Sequence, residues 1–307
     1  MLLTTIPHGR TARRVEWVHL PPTVRRRVEQ HAGSPVVAAE SAGGGFTPGF
    51  ASVLTFADGS RHFVKAAGVR AQRAFATAYR EEARVLAALP GDLPVPQLRW
   101  AEEIDGWFAM GLEHVDAALP ARPWGRADLR RSSDLLVALA ARLTPAPSLG
   151  VPALMGELAG WPGLWDRIDR PRADELGALA ARAPQVLVGE TLVHTDVRDD
   201  NLLLAADGRA WLCDWKGPLV GPAWLDSLWL LTGPRGDGID VEAHLAAHPL
   251  LSAVDPDDVD TALALLLGYL CVAADQPVPS SSPHLRRDQA WQRDVLAGWI
   301  AERRGWS

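Results

Sequence analysis

Three oxygen-bearing side chains, Asp196, Asn201 and Asp214, stand close together in the second half of this 307-residue chain. They fall within Val193–Trp215, VHTDVRDDNLLLAADGRAWLCDW, which reads as a polar loop His194–Asn201, a strand Leu202-Leu203-Leu204, a turn Ala206-Asp207-Gly208-Arg209 and a strand ending at Asp214. A polar turn between two apolar runs predicts a hairpin, so Asp214 is expected to return beside Asp196 and Asn201. A carboxylate and an amide five residues apart, joined by a second carboxylate on the paired strand, suit phosphoryl transfer from a metal-bound nucleotide. Hard oxygen ligands hold Mg²⁺ while a separate carboxylate orients the attacking hydroxyl. Asp196 is expected to be that base, with Asn201 and Asp214 as the metal ligands. Any one of these residues in a polar loop is an ordinary turn former; their coincidence points to chemistry.

An Asp followed five residues later by an Asn, and then by a further Asp, also matches the order of a kinase catalytic loop. His194-Thr195-Asp196, Asn201 and the pair Asp214-Trp215 resemble the aminoglycoside phosphotransferase family, the small-molecule branch of the protein-kinase-like fold. In that family Asp-Trp stands where protein kinases have Asp-Phe-Gly. The resemblance implies an α+β bilobal fold, with a small antiparallel-sheet lobe carrying one long helix and a larger, mainly helical lobe. It implies ATP and Mg²⁺ as cofactors and a small hydroxylated molecule as acceptor. Arg198 takes the place of a protein-kinase Lys that faces the transferred group, where a guanidinium would offset developing charge. Asp226, after Gly217–Leu225, is expected to brace the catalytic loop through backbone N–H groups. Lys216 departs from the family pattern, in which an acidic residue often follows Asp-Trp.

The elements that must position these residues begin with a short helix over 22–31, whose role the sequence does not tell. Then come Val36–Ala39, a turn Gly43-Gly44-Gly45-Phe46-Thr47-Pro48-Gly49, the run Phe50–Phe56, Asp58-Gly59 and His62–Lys65. Strand, loose loop, strand, tight turn and strand predict an antiparallel meander. Glycines let backbone N–H groups approach phosphate oxygens, so Gly44, Gly45, Phe46 and Thr47 are expected to lie over the nucleotide. Lys65 on the third strand would meet the phosphates. Phe75, Tyr79, Ala83, Leu86 and Leu89 recur at helical spacing, predicting a helix over 69–89. The family resemblance implies that Glu82, which stands before the Ala-x-x-Leu pattern on that helix, pairs with Lys65, with Glu81 as the alternative.

Leu93-Pro94-Val95-Pro96 leads into another edge strand, and a further strand spans 107–112. The family resemblance makes Glu113, His114 and Val115 the hinge that holds adenine by its main chain. Strand signals thin out near residue 115, which divides the chain into a nucleotide-clamping lobe, 1–115, and a catalytic and acceptor-binding helical lobe, 116–307. Ser132-Ser133-Asp134 is expected to cap a helix over 135–143, and Trp124, Trp161 and Trp165 are candidates for lining an acceptor pocket. Asp255 and Pro256 predict an N-cap and first turn rather than a substrate site, and Leu285–Arg303 a packing helix.

With 48% apolar and 22% charged residues the chain is expected to fold as a soluble globular protein. A net charge of −6 argues against nucleic acid as partner. The longest apolar run, 262–274, is too short to span a bilayer, and no signal-peptide run opens the chain, so a cytoplasmic location is expected. Two cysteines and scattered histidines suggest neither a disulfide scaffold nor a zinc site. The expected activity is therefore ATP-dependent transfer of the γ-phosphoryl group to a hydroxyl of a small molecule. A nucleotide-binding scaffold without transfer activity is the alternative, and oligomeric state is open.

Overall fold

Alternating apolar residues build the first half of the chain into a sheet, and helical periodicities build the second half. The computed structural model describes residues 1–7 and 11–306. Helix α1, Pro22–Ala32, starts with Pro at its first turn and stops at Gly33, whose φ of 72° lies in the left-handed region. Strands β1 (Val36–Ser41), β2 (Phe50–Phe56), β3 (Arg61–Gly68), β4 (Leu98–Ile104) and β5 (Trp107–Glu113) form one antiparallel sheet in the order β1-β2-β3-β5-β4. Helix α2, Arg73–Ala88, crosses one face of it and buries Ala76, Tyr79, Ala83, Val85 and Leu86.

Five residues expected in α2 lie outside it, Val69 to Gln72 before its start and Leu89 after its end. Val69 still bonds to the turn at Gly106, and the Gln72 side chain ties Gly68 N–H to the Pro48 carbonyl, which delays the first helical turn. Helix α1, with Leu20 just before it, covers the opposite face: Leu20, Val24 and Val28 pack on Phe50, Leu54, Phe56 and Val64. Both faces of the small sheet thus carry a helix.

Beyond Glu113 the chain runs past Val115 to Ala118, which pairs with Leu204 and so pins the connection to the hairpin that starts at Leu202. Helix α3 spans Arg126–Arg142, nine residues more at its start than the sequence suggests. Ser132 and Ser133 are therefore buried in mid-helix, with Ser133 Oγ 2.9 Å from His244 Nε2, and they cap nothing. The real start lies at Gly125, and Asp128 in the first turn accepts the Ala121 N–H. Two-stranded pairs β6 (Thr191–Val193) with β9 (Leu219–Gly221), and β7 (Leu202–Leu204) with β8 (Ala210–Leu212), frame the polar loop.

Helices Pro256–Ala274 and Leu285–Arg303 pack together at the far end. Asp255 caps the first through the Asp257 N–H at 2.8 Å, as its sequence predicts. Trp165 is core rather than pocket: it is 5% exposed, donates to the Ala264 carbonyl at 3.1 Å and lies against Gly268. No helix among the described residues is long and apolar enough to cross a membrane.

The first residues depart from the expected division at 115. Leu2 N–H donates to the Gly236 carbonyl and Arg13 N–H to the Ser281 carbonyl, so this segment lies on the helical half before it enters the sheet half. Residues 8–10, also expected in the small lobe, lie outside the described residues.

Candidate active site

Lys65 sits in mid-strand, 7% exposed, and its ammonium is the centre of the site. It donates at 2.7 Å to both oxygens of Glu82 and at 2.7 Å to Asp214 Oδ1. Of the two acids on α2, only Glu82 faces the sheet, because it shares the buried stripe of Tyr79 and Leu86; Glu81 turns outward to Arg84. Asp214 also accepts from Lys216. Burial alone would raise the Asp214 carboxyl, but Lys65 and Lys216 outweigh it and hold it well below the usual range. Glu82 is wholly buried, and burial pushes it up against the pull of Lys65.

Asp196 stands across the loop from this group. It is half-buried, and burial raises its carboxyl less than Arg198, Lys216 and His194 lower it, so it remains ionised below the ordinary carboxylate value. Arg198 Nη1 lies 3.3 Å from Asp196, and its Nε and Nη2 reach Asp200 at 3.0 and 3.1 Å. Asn201 donates to the Asp196 carbonyl at 2.8 Å, which leaves its side-chain oxygen free of that bond. His194 accepts the Asp196 N–H through Nδ1 and faces the Cys213 carbonyl through Nε2 at 2.9 Å, so this pairing needs its proton on Nε2. Thr195 and Asp214 hold φ of 68° and 72°, left-handed values that non-glycine residues rarely adopt.

Two cavities open on this loop. The smaller, about 280 Å³, is lined by Gly44, Gly45, Thr47, Lys65, Glu82, Glu113, His114, Val115, Asn201 and Asp214. The larger, about 450 Å³, is lined by Asp196, Arg198, Phe46, Trp124 and Trp161 among others, and Asp200 borders both. The residues expected at the nucleotide thus come together in one cavity, with one exception. Phe46 lines the other, because its ring lies beneath the Arg198 guanidinium, 5.3 Å from ring centre to carbon. The glycine-rich loop is also less free than its sequence suggests: the Gly45 N–H donates to Asp200 at 3.1 Å. Gly49 closes the loop where a Cβ would meet the Tyr79 hydroxyl at 2.6 Å.

No protein-family model matches the chain, and no curated protein matches it significantly. Solved structures do. Choline kinase LicA from Streptococcus pneumoniae superposes with a TM-score of 0.55 at 14% identity, over 90% of this chain and 98% of that one. A thermostable mutant of aminoglycoside phosphotransferase APH(4)-Ia, in ternary complex with ADP and hygromycin B, gives 0.57 at 16% identity, over 91% and 98%. A macrolide 2'-phosphotransferase type I gives 0.57 at 17% identity, over 92% and 97%. The chain shares their kinase-like fold.

Sequence reasoning missed Arg14. It reaches the smaller cavity from the N-terminal segment and donates to the Thr47 carbonyl at 2.9 Å and to the Gly44 carbonyl. Burial pulls its guanidinium below the ordinary value, against the opposite pull of Tyr79, Asp214 and Asp200. The buried Arg14 Nε, Tyr79 hydroxyl and His114 Nε2, all on residues lining this cavity, have no hydrogen-bond partner among the described residues. No periodicity marks Arg14, since an arginine 51 residues before Lys65 meets it only through the tertiary fold.

Asp226 braces the loop as its position predicts, accepting the His194 N–H at 2.7 Å and the Thr195 N–H at 2.9 Å. Burial raises its carboxyl, and both N–H groups oppose that. Replacing Asp226 with Ala leaves two buried donors unpaired and is expected to cost about 2–4 kcal/mol of stability. Asp226→Asn keeps one acceptor and should lose less. Urea unfolding midpoints check the ranking, and equal midpoints would refute it.

Proposed function

We propose that the chain transfers the γ-phosphoryl group of ATP to a hydroxyl of a small molecule held in the larger cavity. The observation that carries this reading is the placement of Asp196. It borders the larger cavity, while Lys65, Glu82, Asn201 and Asp214 line the smaller, with Asp200 common to both. That is the layout in-line transfer needs, with the nucleotide on one side and the acceptor hydroxyl on the other. The boundary between lobes near residue 115 belongs to the same proposal.

Asp196 accepts the acceptor hydroxyl's hydrogen bond and takes its proton as the oxygen bonds to the γ-phosphorus. The bond from that phosphorus to the β–γ bridging oxygen breaks, and ADP leaves with the electron pair. Lys65, held by Glu82, lies against the phosphate oxygens, and Arg198 offsets charge on the transferred group. The main chain of Glu113, His114 and Val115 holds the adenine, and Arg14 adds a second cation beneath the glycine-rich loop.

The residues present fit Mg²⁺. Asp214 and Asn201 supply two hard oxygens in the nucleotide cavity, and the remaining ligands would come from phosphates and water. The Lys216 ammonium on the second Asp214 oxygen shows that this carboxylate holds a cation beyond Lys65. When bound, the ion would neutralise developing charge on the phosphate oxygens.

ADP formation measured across hydroxylated cations, sugars and macrolides tests the reading. Tight ATP binding with no transfer to any of them would favour a nucleotide-binding scaffold. Arg14→Ala is expected to weaken ADP binding about 10-fold, the loss of one charge-assisted contact. Calorimetric titration measures it, and an unchanged affinity would leave Arg14 as a brace of the loop alone.

A further inference from the structure

Among the described residues Asp200 alone lines both cavities, so it stands where a phosphoryl group would pass from one to the other. Its side chain is 9% exposed. Oδ1 accepts from Arg198 Nε at 3.0 Å, and Oδ2 accepts both from Arg198 Nη2 at 3.1 Å and from the Gly45 N–H at 3.1 Å. One carboxylate oxygen thus joins an amide of the glycine-rich loop to a guanidinium. A loop N–H and a forked cation are also what a phosphoryl oxygen recruits. The side chain fills the space against the loop, where a Cβ on Gly44 would meet the Asp200 Cβ at 3.3 Å.

Neither partner depends on Asp200 for its place. Every carbonyl from Gly43 to Thr47 accepts a hydrogen bond from elsewhere: Gly43 from the Thr11 N–H, Gly44 and Thr47 from Arg14, Gly45 from the Thr11 hydroxyl and Phe46 from the Ser282 hydroxyl. Arg198 has two further holds, Asp196 at 3.3 Å and the Phe46 ring. Loop and guanidinium are therefore pre-organised around an anion position that a side chain of the protein itself fills. A carboxylate and a phosphate cannot share those donors, because like charges at contact distance repel.

Resting on the phosphotransferase reading, we infer that Asp200 is a specificity-determining residue for the terminal phosphate of the nucleotide. Its carboxylate sits where the γ-phosphoryl group of ATP is held, so ATP binds by displacing it and ADP leaves it in place. Each turnover then ends with the carboxylate returning to Arg198 and the Gly45 N–H as the phosphoryl group departs on the acceptor.

The full-length protein with Mg²⁺ is titrated in a calorimeter with ADP and with the non-hydrolysable triphosphate AMP-PNP. Wild type is expected to bind AMP-PNP no more than about 3-fold tighter than ADP, because the added phosphate must expel a carboxylate. Asp200→Asn keeps the shape and one acceptor but removes the charge, and Asp200→Ala removes the whole group. In both variants AMP-PNP is expected to gain about 10-fold while ADP stays within about 3-fold of wild type, which also reports a folded site. A larger wild-type preference for AMP-PNP, an unchanged or lowered ratio of the two affinities in the variants, or an equal loss of both nucleotides would overturn the inference. The last result would make Asp200 a metal ligand or a brace of the loop. Wild-type protein that binds neither nucleotide would sink the phosphotransferase reading as well, whereas binding without ADP formation from ATP and any acceptor would sink that reading alone.

Discussion

Asp196→Asn is expected to lower kcat by at least about 10²-fold and to leave ADP affinity nearly unchanged. The amide is close in shape, and Asn201 reaches residue 196 chiefly through the backbone carbonyl at 2.8 Å, with only a longer 3.4 Å contact to Oδ2, so the loop keeps its form. What disappears is a proton acceptor at the border of the larger cavity. Nucleotide affinity survives because the phosphate-facing residues line the other cavity. Because Arg198, Lys216 and His194 hold the Asp196 carboxyl below its ordinary value, wild-type turnover should not decline through loss of this base until the pH falls below the ordinary carboxylate range. Steady-state kinetics with a responsive acceptor, paired with ADP titration, measures both quantities. Undiminished turnover would remove Asp196 from the base role.

Lys65→Ala should act on both stability and ATP use. The ammonium lies between Glu82, wholly buried, and Asp214, and removing it leaves two carboxylates facing each other without their shared cation. Loss of one partner from a buried ion pair costs about 3–5 kcal/mol. The double change Lys65→Met with Glu82→Gln removes both buried charges and should recover part of that stability while leaving ATP use impaired. Urea midpoints and the KM for ATP separate the two effects. An unchanged KM would remove Lys65 from the phosphates, whatever happens to stability.

The pH window follows from the directions of the shifts. Lys65 is raised in the folded state, so its contribution is present below an unfolded value of about 10.4 and fades only above that. Asp214 is lowered, so its contribution is present above an unfolded value of about 3.9 and is lost as the pH falls through its folded value. Between roughly pH 5 and 9 the pair keeps its charge, and losses of activity in that range need another group.

Much of the site was legible in the sequence because its parts are local. A hairpin turn fixes how Asp214 returns to Asn201, five residues past Asp196, and neither relation needs the rest of the chain. The preference for Glu82 over Glu81 came from the resemblance, which places the family's Glu before Ala-x-x-Leu, and the fold puts Glu82 on the buried stripe of Tyr79 and Leu86. Asp255 and Pro256 announced their helix locally.

The tertiary structure decided everything that depends on distant surfaces meeting. Helix α1 carries no mark of its partner, yet it seals the second face of the sheet. Phe46 belongs by sequence to the glycine-rich loop, and its ring goes to the larger cavity because Arg198 offers it a cation there. Trp161 and Trp165 look alike in sequence, but one stacks on Tyr269 at the cavity while the other fills the core beside Gly268. Ser132 and Ser133 resemble a cap until packing extends α3 past them. Arg14 enters the smaller cavity from the opposite end of the chain. Spacing along a chain encodes what a turn of helix or a tight hairpin can join, whereas a cavity takes its walls from segments whose separation in sequence says nothing of their distance in space.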